Sequence, residues 1–345
     1  MSWEGMSGYQ RVLVETVIDS SLRSLTDDPK RSLRKLVDLG ESCAAGRLQK
    51  RFLRMAQDML EKEDSPYYDM VCSAVETVDH SKLKTFGMNF GWNCLTVGAK
   101  QIRAYEQEHR HNVPWELTLH IGSRNSDLKA CDYRELICQA KALGIYSYFL
   151  FPEEEGVALE TAFSLVSAEK DCDFMLFLPR GTAAAQYADR LRQPDNLMIA
   201  VDSSGAGWTE SALCLRENGC LYAIYRQYAS GKDVEDIVSG QWAQRILPYA
   251  GIAALCVAGA DCSMGRSRKV YRYALDSRLQ QRYPMLIIDL YLDSLATDIC
   301  ISDGGCFVGI LPDGGITEYC DGHERGTRDS VRAAPLAELL RRFAK

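Results

Sequence analysis

The sequence predicts an α/β fold, a partial or full (β/α) TIM-type barrel of parallel strands with an N-terminal helical extension and a small cysteine-containing C-terminal hairpin region. Short apolar runs recur between residues 84 and 258, and a helix-like segment follows most of them. Most runs are apolar at nearly every position, as in strands buried on both faces. Such alternation indicates βαβ units, which a barrel closes economically. The runs are Lys84–Phe90, Trp115–Ile121, Ile145–Phe151, Cys172–Leu178, Asn196–Asp202, Cys220–Arg226 and Ile252–Ala258.

Composition narrows the class of protein. The 345 residues are 46% hydrophobic and 25% charged, which is typical of globular proteins. A net charge of −7 argues against nucleic acid as a partner. No apolar run reaches the ~18 residues of a membrane-spanning helix. The first ten residues have neither the basic nor the apolar part of a secretory signal, so we expect a cytoplasmic protein without membrane contact.

The residues before the first apolar run indicate helices. Asp27-Asp28-Pro29 offers a cap and an N-terminal proline, Gly40 ends that helix, and Asp64-Ser65-Pro66 separates two more. We therefore predict a helical extension that packs on the barrel. The predicted domains are 1–82 (helical extension), 83–264 (barrel) and 265–345 (a C-terminal helix plus the cysteine-containing region).

The first apolar run, Lys84–Phe90, leads into a glycine-punctuated turn and then a helix. This order resembles the radical S-adenosylmethionine (radical SAM) enzymes, whose first barrel strand leads into a CxxxCxxC loop. Those cysteines hold a [4Fe–4S] cluster that reductively cleaves S-adenosylmethionine. The matching positions here are Trp92, Thr96 and Ala99, which supply no thiolate to iron.

The next unit strengthens the resemblance. Tyr133–Ile145 matches the family's helix ending in A-K-x-x-G-I. The resemblance then places the family's GGEP motif, which contacts the cofactor's amino group, at Gly122, Ser123, Arg124 and Asn125. It makes Gly122, Ser123 and Asn125 candidate cofactor-binding residues, but an arginine beside the cationic cofactor is unfavourable. We therefore do not expect binding and cleavage of S-adenosylmethionine.

Polar residues follow two further strands, at the end where barrels carry their active sites. Glu153 begins a run of three glutamates, which could bind a cation, transfer protons, or simply favour a helix N-terminus. Asp202 and Ser203 follow the fifth run, where related enzymes contact the cofactor, but helix capping explains them equally well. All three are candidate cofactor-binding residues.

His120 shares a strand face with Glu116 and Thr118 by alternation. No other metal-ligand pattern accompanies it. The pattern favours a solvated or core-edge histidine over a metal ligand.

The C-terminal region is rich in cysteine. Phe307–Leu311 and Ile316–Tyr319 are predicted strands joined by a Pro-Asp-Gly-Gly turn. The spacing around them resembles the auxiliary-cluster (SPASM or twitch) region of radical SAM enzymes. That resemblance implies metal ligation, for example of a [4Fe–4S] cluster, by Cys300, Cys306 and Cys320. The alternative, a metal-free hairpin with buried thiols, is favoured.

Two functional hypotheses follow. The first is a degenerate radical SAM homologue that does not cleave S-adenosylmethionine and serves as a binding or accessory module for a peptide, a small metabolite or a catalytic protein partner. The second is an iron–sulfur radical SAM-type or redox enzyme with non-standard cysteine ligands and an auxiliary cluster. The sequence leaves open whether the protein is an enzyme.

Overall fold

The computed structural model describes residues 3–24, 28–43, 46–302 and 304–343. In these residues ten strands form one sheet, in the order β10-β9-β8-β1-β2-β3-β4-β5-β6-β7. The strands are β1 (Glu116–Ile121), β2 (Ser147–Pro152), β3 (Asp173–Phe177), β4 (Leu197–Asp202), β5 (Tyr222–Tyr228), β6 (Ala253–Ala258), β7 (Leu286–Asp289), β8 (Val308–Ile310), β9 (Gly315–Cys320) and β10 (His323–Ser330).

The helices flank the strands and precede them. The helices are α1 (Trp3–Ser24), α2 (Pro29–Cys43), α3 (Arg47–Leu60), α4 (Pro66–Thr77), α5 (His80–Gly87), α6 (Ala99–His109), α7 (Ala130–Leu143), α8 (Val157–Ala168), α9 (Ala188–Arg192), α10 (Trp208–Glu217), α11 (Gly231–Val238), α12 (Gln241–Ile246), α13 (Met264–Leu279), α14 (Leu290–Ile301) and α15 (Leu336–Phe343). Over the described residues, none of the helices is long and apolar enough to cross a membrane.

The sheet is a curled partial barrel. Strands β1 to β7 pair in parallel with their neighbours, and β8 pairs in parallel with β1. Strands β7 and β8, both fully described, do not pair with each other, so the barrel has an open seam. The predicted fold class, a partial TIM-type barrel with N-terminal helices, is confirmed.

Helix α14 joins the two strands beside this seam. Its buried face carries Tyr291, Ser294 and Asp298, spaced three and four residues apart. Asp298 accepts hydrogen bonds from the backbone N–H groups of Trp115 (3.1 Å) and Cys306 (2.8 Å), just before β1 and β8. The helix therefore ties together the strands on one side of the seam.

The predicted Gly-Ile turn after α7 has a steric basis. Gly144 follows α7 with φ of 103°, in the left-handed region that favours glycine. A Cβ on the neighbouring Gly98 would lie 2.2 Å from the Gly144 carbonyl oxygen. The two glycines let α6 and the α7–β2 turn approach closely.

The predicted strand Lys84–Phe90 is wrong. Those residues lie in α5 and in the π-helical segment Met88–Gly98, which leads into α6. The buried Asn89 donates to the carbonyls of Lys170 (2.9 Å) and Cys172 (2.8 Å), at the amino end of β3. A short apolar run can be a buried helix as easily as a buried strand. The first barrel strand is therefore β1, so Trp92, Thr96 and Ala99 do not follow a strand.

The other six apolar runs form strands β1 to β6, and the predicted hairpin forms β8 and β9. Strands β7 and β10 were not predicted. The single sheet continues across residue 264, where we placed a domain boundary. The division into three domains remains a prediction. The helical extension has its own small core, formed by Leu33, Val37, Leu60, Tyr67 and Tyr68.

Candidate functional site at the barrel mouth

The carboxyl ends of the parallel strands form the barrel mouth, and a row of rings lines it. His120 pairs in register with Phe151, so the two side chains point to the same face. The centroid of the His120 ring lies 5.4 Å from that of Phe151, which stacks on Phe177 at 4.0 Å. Tyr225 meets Phe177 edge-on at 5.2 Å. Strands β1, β2, β3 and β5 thus contribute one aromatic wall, in which His120 and Phe151 are half-buried while Phe177 and Tyr225 are buried.

His120 is paired with a carboxylate from the C-terminal hairpin. Its Nε2 lies 2.7 Å from Oε1 of Glu324 on β10, and the two side chains are 22% and 11% exposed. Glu324 Oε1 also accepts a hydrogen bond from Thr317, and Oε2 accepts one from the Tyr291 hydroxyl at 3.1 Å. Every contact of Glu324 therefore orients it toward the histidine.

The second ring nitrogen of His120 is left open. Among the described residues, Nδ1 makes no hydrogen bond. The atom is not fully buried either, so it remains accessible. Since Nε2 faces Glu324, we place the ring proton there, which leaves a lone pair at Nδ1. An imidazole oriented in this way can accept a proton at the mouth.

Charge and burial shift the pKa values of His120 and Glu324 in opposite directions. Burial alone would lower the pKa of His120, but the Glu324 carboxylate outweighs it and raises that pKa above the ordinary 6.5. Burial would likewise raise the pKa of Glu324, but the His120 charge and the hydrogen bonds lower it. Both shifts stabilise the imidazolium–carboxylate pair that forms once the neutral ring has accepted a proton at Nδ1.

Three of the predicted site residues lie in the loop between β1 and α7. A Cβ on Gly122 would lie 2.0 Å from Ser126 Oγ and 2.6 Å from Pro312, so packing against the hairpin turn requires this glycine. The Ser123 carbonyl accepts the N–H of Ser126 at 3.1 Å, which closes a turn. Asn125 is exposed. Their assignment to cofactor binding remains a prediction.

The other candidates follow β2 and β4. Glu153 is exposed, and its backbone N–H donates to the carbonyl of Ile121, the residue after His120, at 2.9 Å. Asp202 is buried and accepts hydrogen bonds from the N–H (2.8 Å) and hydroxyl (2.6 Å) of Ser204. Ser203 donates to the Tyr225 carbonyl at 2.9 Å. The Asp202 bonds close a local turn, and the Ser203 bond links the end of β4 to β5. A role in cofactor binding is still a prediction.

The cysteines of the C-terminal region lie apart. Cys300 ends α14, where its Sγ is 3.2 Å from Arg51 Nη1. Cys306 precedes β8, and burial raises the pKa of its thiol. Cys320 ends β9. The three thiols do not form a group with ligand atoms within 4.8 Å of one another. Their role as metal ligands stays a prediction.

Among the described residues, the one group of three side chains with ligand atoms within 4.8 Å is Glu169, Asp171 and Cys172. Lys141 Nζ lies 3.1 Å from Glu169 and 2.8 Å from Asp171. The lysine ammonium already neutralises this cluster, so it does not call for a metal ion.

Polar groups also fill the barrel interior below His120. Glu116 is fully buried, its Oε1 accepts a hydrogen bond from Ser294 at 3.0 Å, and Oε2 has no partner. Burial raises the pKa of Glu116 to about 8. Asp173 accepts from Ser147 at 2.7 Å, and burial raises its pKa to about 7. The amino-terminal half of the interior therefore holds two carboxyl groups whose pKa values are raised to near neutral pH by burial.

The alternation of Glu116, Thr118 and His120 was visible in the sequence and placed them on one face. Glu324 could not be found in that way. Strand β10 has the sequence HERGTRDS, which shows no apolar alternation, and no motif marks it.

Solved structures of SuiB, a radical SAM enzyme of Streptococcus suis, have a similar fold. SuiB bound to S-adenosylmethionine is 14% identical, with a TM-score of 0.50 over 70% of this chain and 66% of that chain. SuiB bound to the precursor peptide SuiA is 14% identical, with a TM-score of 0.49 over 69% and 67%. No protein-family model and no curated protein matches the sequence significantly. At this identity the likeness shows the fold alone, a partial TIM-type barrel.

Proposed function

We propose that this protein is a binding barrel that does not cleave S-adenosylmethionine and whose mouth accepts a ligand. The observation that carries the proposal is the composition of the mouth. It offers an aromatic wall and the oriented His120–Glu324 pair, while the loop after β1, residues 122–129, contains no cysteine. Ligand sites combine apolar walls with a few placed polar groups in this way.

The residues present do not fit the [4Fe–4S] cluster that the fold family implies. The cysteines nearest in sequence to the β1–α7 loop are Cys131 and Cys138, seven residues apart on α7 and hence about 10 Å apart along the helix axis. Cys94 is 2% exposed and lies 3.9 Å from the Trp115 carbonyl, at the opposite end of β1. We therefore assign no step to a cluster or to its cofactor.

The partner at the mouth is a small metabolite, a peptide segment or a catalytic protein. The wall favours a ligand with an apolar body, and the exposed Nδ1 of His120 favours one with a group that can exchange a proton or form a hydrogen bond. The protein would then act as an accessory module or as an enzyme without a radical step.

The cluster half of this proposal is tested by iron and acid-labile sulfide content, on protein made and reconstituted without oxygen. We expect far less than the about four irons per chain that one [4Fe–4S] cluster requires. With dithionite and S-adenosylmethionine we expect no deoxyadenosine. Stoichiometric iron that survives Cys300→Ala, Cys306→Ala and Cys320→Ala together would refute both the proposal and our assignment of these thiols.

The binding half is tested by thermal unfolding with a metabolite library. A ligand at about 100 times its Kd stabilises the folded state by about 2.7 kcal/mol. Phe151→Ala should abolish that stabilisation, while Leu213→Ala, at an exposed position on α10, should keep it. Equal stabilisation of the two variants would place the ligand elsewhere.

A further inference from the structure

We propose that His120 and Glu324 form a general acid–base pair, in which Nδ1 of His120 exchanges a proton with a ligand bound at the mouth. This rests on the proposed function in one respect, since it needs a ligand there. The ligand class is a molecule with an apolar body and an acidic C–H or O–H group. The proposal adds an activity, proton transfer, to the ligand binding proposed above.

The carboxylate of Glu324 is held by hydrogen bonds from two elements of the fold, β9 and α14. Thr317 on β9 donates to Oε1, and Tyr291 on α14 donates to Oε2 at 3.1 Å. Tyr291 in turn stacks on Tyr319 with the ring centroids 5.3 Å apart. The Tyr319 hydroxyl lies 2.6 Å from Ser267 Oγ on α13, which anchors the hairpin on the far side of the seam.

The imidazole is held equally firmly. Its ring stacks on Phe151 on one side, and its backbone carbonyl accepts a hydrogen bond from Tyr133 of α7 at 2.6 Å. Nε2 is bound to Glu324, so Nδ1 is the atom presented to a ligand. A histidine oriented by a carboxylate, at the carboxyl end of a barrel strand, is the arrangement of a general base.

An ion pair that merely fastens the hairpin would not need this geometry. Surface pairs contribute little and tolerate mobile side chains. Here every oxygen of Glu324 has a partner, and one imidazole nitrogen is left accessible. The structure orients one proton acceptor toward the mouth.

The proton balance is closed without a further reactant. The Nδ1 lone pair takes a proton from the ligand, and the electron pair of the broken C–H or O–H bond stays on the ligand. Glu324 stabilises the resulting imidazolium ion, which returns the proton to another ligand atom or to water. Nothing is oxidised or reduced.

The test uses nitrobenzisoxazole as a probe, because loss of its C–H proton to a base breaks the N–O bond and releases a coloured cyanophenolate. Wild-type protein should convert it at least about tenfold faster than His120→Gln, a conservative figure for acid–base catalysis of a foreign substrate. His80→Gln, at an exposed position at the start of α5, is the matched control and should retain the wild-type rate.

Glu324→Gln separates the roles of the two residues. The charged and titratable groups around the ring are Glu324 on β10, Glu153 after β2, Tyr291 on α14 and Tyr133 on α7. Removal of the Glu324 charge should move the midpoint of the rate–pH profile to lower pH. The His120 resonances in an NMR titration should give the same midpoint as the rate.

Equal rates for wild type and His120→Gln, or no acceleration over buffer, would overturn the proposal. So would a rate midpoint that differs from the NMR pKa of His120, which is measured on wild-type protein and does not depend on a variant that folds. Failure of the proposed function is seen separately, as iron and deoxyadenosine, which take no part in this reaction.

Discussion

The barrel interior has a polar side on β1 and a mainly apolar side on β4 to β6. On β1 the inward positions are Glu116, Thr118 and His120, all polar. Across the barrel, the positions in register with the aromatic wall are small or apolar, apart from Asp202, which pairs with Tyr225. They are Met198, Ala200, Ala223, Ala253 and Leu255. Apolar layers fill the interiors of TIM barrels, so the β4–β6 side is ordinary packing. The polar side is the one next to β8 and the C-terminal hairpin.

The difference between the two sides shows that polar groups are buried where neighbouring elements supply hydrogen-bond partners. A buried polar group is costly unless a partner satisfies it. Helix α14 supplies Ser294 to Glu116, and the hairpin supplies Glu324 to His120.

The largest effect is expected on the apolar wall. Phe177 is 1% exposed and contacts Phe151 and Tyr225, so Phe177→Ala should lower the free energy of unfolding by about 3–5 kcal/mol. Urea unfolding measures it, with Leu213→Ala as a surface control expected within about 0.5 kcal/mol. A loss below about 1 kcal/mol would show that the ring row does not belong to the core.

A smaller effect is expected on the polar side. Glu324→Ala leaves His120 without its carboxylate, and for a pair that retains some solvent contact we expect a loss of about 1–3 kcal/mol. The matched control is Glu235→Ala, which breaks an exposed pair with Lys269 (3.3 Å) and should cost less than about 1 kcal/mol. Equal losses of unfolding free energy in the two variants would mean that the His120–Glu324 pair contributes no more than an exposed surface ion pair.

The smallest effect, at acidic pH, is expected for Glu116→Gln, because the amide resembles the protonated carboxyl group. The pKa of Glu116 is about 8 in the folded state and lower in the unfolded state, so its contribution to stability is full at acidic pH and is lost as the pH rises toward 8. Relative to wild type, the variant should gain about 1.4 kcal/mol per pH unit, up to about 4 kcal/mol, between about pH 5 and pH 8. A constant difference across this range would show that Glu116 is ionised throughout.

Local sequence patterns predict most of the strands, whereas the candidate site depends on a contact between residues far apart in the sequence. The runs that form β1 to β6 stand out because a strand covered on both faces is apolar throughout. Lys84–Phe90 shares that composition but packs as helix. The short strand β7 runs directly into α14, so no turn signal marks its end. Glu324 reaches His120 from 204 residues away, and nothing near either residue predicts the other.

The open seam also bears on synthesis. A nascent chain that has emerged as far as α13 has made every strand from β1 to β6, but neither β8, which covers the edge of β1, nor Glu324. Until they emerge, the polar side of the interior is open to water and β1 is an unpaired edge strand. The aromatic wall can therefore assemble early on the ribosome, while the histidine becomes oriented only when the hairpin docks.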